Sequence, residues 1–102
     1  MQYRLSIAPE VEQDIVSGID WYNLQLENLG FEFEQAIYEA IEIIVESTLH
    51  FQIRYDVFRI CFLKRFPYGI HYTIEKNVVK IVMVVHAHRN PVNWKERIKR
   101  KK

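Results

Sequence analysis

The chain has 102 residues, 49% of them apolar and 26% charged, the makeup of one globular domain over 1–102 with no room for a second core. Its 14 Lys and Arg nearly balance its 13 Asp and Glu, but residues 1–50 hold one basic residue against ten acids, net −9, and residues 51–102 hold thirteen against three, net +10. Such a split predicts a face for an acidic or phosphate-bearing partner. A lone Cys61 excludes an internal disulfide, and with no basic-then-apolar leader and no membrane-length apolar run a cytoplasmic protein is expected.

Residues 2–6 alternate, with Tyr3, Leu5 and Ile7 on one face, as a short strand does. Pro9 suits the first turn of a helix, where its missing N–H costs nothing. Glu10, Glu12 and Asp14 crowd the end of the helix dipole that favours negative charge. Val11, Ile15, Ile19, Tyr22, Leu26 and Leu29 then recur every three or four residues as one apolar stripe. Gly30 breaks the stripe and is expected to be the left-handed residue that follows the helix. A second stripe comes at once, Phe33, Ile37, Ala40, Ile41 and Ile44, with Glu32, Glu34, Glu39, Glu42 and Glu46 left for solvent. The two segments predict an acidic helical hairpin.

Three runs rich in β-branched and aromatic residues follow, at 57–64, 68–74 and Val78–His86. Phe66-Pro67 parts the first from the second, and Glu75-Lys76-Asn77 suits a tight turn before the third. In the middle run Tyr68, Ile70, Tyr72 and Ile74 share one face, and Gly69, His71 and Thr73 the other. The third run is apolar on both faces and belongs inside the sheet. Asn90-Pro91 reads as the cap and first-turn proline of a short basic helix through Trp94, Arg97 and Ile98, with 98–102 a flexible basic tail. The expected class is α+β: an N-terminal strand, a helical hairpin, a three-stranded antiparallel meander and a short C-terminal helix. The helices would cover one face of the sheet and leave Arg59, Cys61, Leu63 and His71 on the other. Pattern alone leaves open which strand the N-terminal one joins.

Little in the chain speaks for metal or nucleotide chemistry. Three scattered glycines make no phosphate loop, and His86 with His88 falls short of the three or four ligands that zinc takes. Neither a metal nor a cofactor is expected. Cys61 lies in an apolar run and reads as a packed core thiol. The basic half is richer, because Lys64, Arg65, His71, His86, His88 and Arg89 fall at strand ends or on the alternate face, and Lys95, Arg97 and the tail follow. Histidine and arginine side by side can cleave RNA without metal. One group takes the 2′-hydroxyl proton, another protonates the leaving oxygen, and a guanidinium stabilises the charged phosphorane. Tyr68, Tyr72 and Trp94 are candidate stacking partners for unpaired bases, though tyrosines alternating on one strand face also serve as core.

The run from Phe66-Pro67-Tyr68-Gly69-Ile70-His71-Tyr72 through His86-Ala87-His88-Arg89-Asn90-Pro91 to Trp94 and Arg97 resembles the RelE/ParE toxin superfamily. The first strand, the Pro9-opened helix, Leu29-Gly30 and the Phe33 helix match it as well, so the resemblance spans nearly the whole chain. It implies the toxin of a type II toxin–antitoxin module: growth-inhibiting when free, held in a hetero-oligomer by its cognate antitoxin, and meeting operator DNA only through that antitoxin. RelE-like members cut mRNA on the ribosome with basic residues on the sheet, whereas ParE-like members lack that set and act on DNA gyrase. Aligned through the middle strand, Ile60 and Phe62 stand where the nucleases place two strand basics, and Gly69 stands at the following arginine position. Arg89 matches, and Trp94 falls near a terminal aromatic. The resemblance therefore favours the ParE-like branch, with Arg89, Trp94, Lys95 and Arg97 as target-binding residues. A metal-independent ribonuclease is the alternative, its catalytic candidates Arg89, Lys64, Arg65, His71 and His88. An inactive toxin-like module and an unrelated small nucleic-acid-binding protein also stay open.

Overall fold

The computed structural model describes residues 3–88. In chain order they form β1 (Arg4–Ile7), α1 (Pro9–Gln25), α2 (Leu29–Glu46), β2 (Ile53–Tyr55), β3 (Phe58–Phe62), β4 (Tyr68–Glu75) and β5 (Val78–His86). The expected helix from Asn90-Pro91 and the tail at 98–102 lie outside the described residues. Among the described residues no helix is long and apolar enough to cross a membrane.

Helix α1 begins as its sequence dictates, with Ala8 extended, Pro9 in the first turn and Glu10 and Glu12 at the positive end of the dipole. It buries Val11 and Ile15 and ends at Gln25, so Leu26 lies beyond the helix and is exposed rather than part of the stripe. The left-handed residue between the helices is Asn28 (φ 67°), not Gly30. Gly30 sits in the first turn of α2 for a different reason. A Cβ there would lie 2.5 Å from the Ile19 carbonyl oxygen, and the Gly30 N–H donates to Asn23 Oδ1 at 2.8 Å. Only a residue without a side chain lets the helices approach so closely.

The sheet has five strands in the order β1-β5-β4-β3-β2, one more than the sequence predicts. Strand β1 pairs parallel with β5, Arg4 opposite Val78 through Ile7 opposite Ile81, while every other pairing is antiparallel. This placement sets β5 inside the sheet, as its two apolar faces require. Its register against β4 slips between His71 opposite Met83 and Tyr72 opposite Ile81, a bulge at Val82. Beyond Ile81 strand β1 no longer covers β5, and the Val84 N–H donates instead to Asp14 Oδ2 of α1 at 3.0 Å.

The helices cover one face of the sheet. Val11, Ile15, Phe33, Ile37, Ile41 and Ile44 pack there on Ile70, Tyr72, Val79, Ile81 and Val84. Cys61 belongs to this core too, which corrects one expectation. In an antiparallel pair opposite residues share a face; Cys61 stands opposite Ile70 and Arg59 opposite Tyr72, so Arg59, Cys61 and Leu63 face the helices. Both alternations of β3 are apolar enough to be core, and pattern alone chose the wrong one. His71 does face away, opposite Ile60.

The segment joining α2 to β2 is latched to the sheet from two sides. The Tyr72 hydroxyl donates to the Thr48 carbonyl at 2.7 Å, and Arg59 Nη1 donates to the Phe51 carbonyl. Burial pushes the Tyr72 phenol up to about 12; the Arg59 charge opposes that rise and Cys61 adds to it.

Candidate functional site

Of the described candidates, Lys64 and Arg65 lie in the β3–β4 turn and His86 and His88 at the exit of β5. Phe66 anchors that turn: it is buried, with its ring 4.9 Å from Tyr22 and 5.4 Å from Phe33 between centroids. Burying a side chain of this size stabilises by about 1.5–3 kcal/mol, enough to fix the turn on the helical hairpin. Leu63 N–H donates to the Tyr68 carbonyl at 2.9 Å, and Tyr68 N–H to that of Phe66 at 2.8 Å. Ala87 N–H donates to the Pro67 carbonyl at 2.7 Å, which seats 86–88 beside the turn. Lys64 and Arg65 are thereby displayed at the surface of this turn, and His86 and His88 lie at the exit of β5.

Arg65 turns towards the helices, where it pairs with Glu32 of α2, and its guanidinium carbon lies 5.2 Å from the Phe66 ring centroid. His88 is exposed, and its backbone N–H donates to His86 Nδ1 at 3.0 Å, so that nitrogen is an acceptor without a proton in this geometry. The His86 ring stands edge-on to Tyr68 at 5.3 Å. No group of three or more His, Cys, Asp or Glu among the described residues could hold a metal ion.

His71 is on the opposite face from Arg65 and is 4% exposed. Its Nδ1 lies 2.7 Å from the hydroxyl of Tyr55, whose pKa is raised, chiefly by burial and secondarily by the Asp56 charge. A phenol so shifted stays protonated at neutral pH and holds the imidazole in one orientation. The structure thus groups Lys64, Arg65, His86 and His88 at one end, and sets His71 apart in a buried pair. Arg89, Trp94, Lys95 and Arg97 lie outside the described residues.

On this outer face Phe62 is opposite Gly69 and Ile60 opposite His71. A Cβ at Gly69 would lie 2.9 Å from Ile60 Cγ2 and 3.3 Å from the Phe62 ring, so the two side chains close over the glycine. The Arg54 guanidinium carbon lies 5.6 Å from the Phe62 ring centroid. Arg54 and Tyr55 both belong to β2, the strand that sequence reasoning missed. The signal was present but faint: Ile53-Arg54-Tyr55 ends at Asp56, a turn residue that takes a left-handed φ of 50°. A three-residue strand is too short for periodicity to register.

No protein-family model matches the sequence, and no curated protein matches it. Among solved structures the chain is similar to a chain of the chromosomal ParDE TA system from P. aeruginosa, at a TM-score of 0.77 and 13% identity. The match covers 85% of this chain and 98% of that one. The two chains therefore share this α+β fold.

Proposed function

We propose that the chain is the toxin of a type II toxin–antitoxin module, growth-inhibiting when free and silenced by a cognate antitoxin, and that it acts in the ParE manner on DNA gyrase. The likeness to a ParDE chain supports the toxin reading. The choice of target rests on the outer sheet face. Cleavage of RNA without metal needs proton-transfer groups and a cation aimed at the phosphorane. At the three positions where the resemblance puts the nuclease's basics, this chain has Ile60, Phe62 and Gly69, mutually packed and without a donor. Losing one such donor typically costs about a hundredfold or more in rate, roughly 3 kcal/mol, and losing several leaves little cleavage.

His71 is the observation that favours the ribonuclease alternative, since it shares that face, but its ring is buried and held by Tyr55. Arg89, Trp94, Lys95 and Arg97 are the proposed target contacts. Induced expression without a partner should stop growth, with supercoiling by gyrase inhibited and no A-site cuts on ribosome-bound message by primer extension. Strong A-site cuts that vanish in Arg89→Ala would overturn the gyrase assignment. Unimpaired growth at high soluble expression would overturn the toxin reading itself.

A further inference from the structure

We propose that β1 is a self-pairing edge, along which two copies of this chain join antiparallel, Leu5 facing the partner's Leu5, so that two sheets become one. Nothing in this pairing depends on the toxin reading. Strand β1 is the outermost of the five and pairs on one side only, parallel to β5. The Arg4 N–H donates to the Asn77 carbonyl at 2.8 Å and the Ala8 N–H to that of Ile81 at 2.9 Å. Hydrogen-bonding direction alternates along a strand, so Ser6 also faces β5, whereas the N–H and C=O of Leu5 and Ile7 point off the sheet. Among the described residues no backbone group meets them. Edges left in this state are templates for another strand, and proteins blunt them with charge, proline or bulges. The opposite edge is blunted in this way, since β2 carries Arg54 and its register is irregular between Ile53 and Tyr55. Strand β1 runs in unbroken register with β5, and its outward positions are Leu5 and Ile7.

The side chains favour a second β1 over any other strand. Leu5 stands beside Val79 and Ile7 beside Ile81, so both extend the helix-covered face of the sheet to its rim. There the cover runs out: Leu5 is 44% exposed and Ile7 43%, although Val79 and Ile81 next to them are 0% exposed. Tyr3 packs on the same core and shares that face. With the two-fold axis at Leu5, Tyr3 meets the partner's Ile7 and Leu5 the partner's Leu5, apolar against apolar throughout. On the outer face Arg4, the only charged side chain of β1, then meets the partner's Ser6. Sliding the pair two residues one way sets Arg4 directly against the partner's Arg4, and like charges so placed repel. Sliding it the other way sets Tyr3 against the partner's Pro9, where the chain has already turned into α1, and engages only Leu5 and Ile7. One register therefore uses residues 3, 5 and 7 together and opposes no charges. A charged foreign segment finds a single charge on β1 to recognise.

The test uses the full chain in sedimentation velocity from about 1 μM to about 1 mM, since a pairing along so short a strand is weak. The expected result is a monomer–dimer equilibrium that Leu5→Pro weakens about tenfold or more. The Leu5 N–H gives nothing to β5, so proline there spares the ladder within the chain, and circular dichroism should match the parent. Because Arg4 faces the partner's Ser6, Ser6→Asp should tighten the dimer about threefold or more and Ser6→Lys loosen it by a similar factor. Under oxidation Leu5→Cys should give a disulfide-linked dimer, as facing hydrogen-bonded Cα atoms lie about 5.5 Å apart. Arg4→Cys should not, because the partner's position 4 lies two residues along, and the buried Cys61 takes no part. A chain that stays monomeric to about 1 mM overturns the proposal, as does a dimer indifferent to Leu5→Pro. So does a dimer on which Ser6→Asp and Ser6→Lys act alike, or cross-linking of Arg4→Cys as fast as Leu5→Cys. Should Leu5→Pro fail to fold, the two Ser6 variants and the cross-links decide alone.

Discussion

Replacing Tyr72 with Phe removes one oxygen and asks whether the segment between α2 and β2 is held by that hydrogen bond or by packing alone. The residue is fully buried, and its hydroxyl donates to the Thr48 carbonyl at 2.7 Å. Thr48 is itself 3% exposed, and its own hydroxyl is engaged by the Ile44 carbonyl at 2.8 Å, so water has little access to the acceptor that would be orphaned. Phenylalanine keeps the ring and its near-perpendicular contact with Phe51, so the apolar transfer term is unchanged. What remains is the penalty for a buried acceptor without a donor, about 1–3 kcal/mol. In a domain of this size each kcal/mol moves Tm by roughly 4–8 °C, so Tyr72→Phe should melt about 10 °C below the parent with an unchanged urea m-value. Amide exchange should also quicken at 48–52, because the latch and not the ring orders that stretch. A loss of less than about 0.5 kcal/mol in urea titrations would refute the reasoning and return the role to packing.

Three other outcomes follow from the same structure. Gly30→Ala puts a methyl 2.5 Å from the Ile19 carbonyl and 2.7 Å from Asn23 Oδ1, and should destabilise by about 1–3 kcal/mol in urea despite the better helix propensity of alanine. Because burial raises the folded-state pKa of Tyr72 from 10 to about 12, stability from this group is fully present below pH 10 and lost as pH rises through 12. Tyr72→Phe should flatten part of that alkaline decline in melts taken across the range. Cys61 is buried with its pKa raised by desolvation, so iodoacetamide should modify the native chain far more slowly than the urea-unfolded chain.

The helical hairpin and the three long strands were legible because each buries one regular stripe over enough residues for its period to show. The Tyr68, Ile70, Tyr72 alternation on β4 placed the core face correctly, and His71 with it. Three features escaped, each for a physical reason. Strand β2 is three residues long and makes its contacts through Tyr55 on His71, a tertiary bond with no local pattern. The face of β3 was undecidable because Phe58, Ile60 and Phe62 are as apolar as Cys61 and Leu63, and only pairing with β4 chooses between them. The left-handed turn went to Asn28 because Gly30 was needed two residues later for close helix packing. At the basic end the sequence put Lys64, Arg65, His86 and His88 at strand ends, but could not show that Arg65 is drawn to Glu32 of α2.

The pair of Arg65 with Glu32 is exposed and adds little stability by itself. Its effect is positional: it holds the guanidinium beside α2, with its carbon 5.2 Å from the Phe66 ring centroid, so the charge of Arg65 is committed to the helix side of the turn that Ala87 ties to the exit of β5.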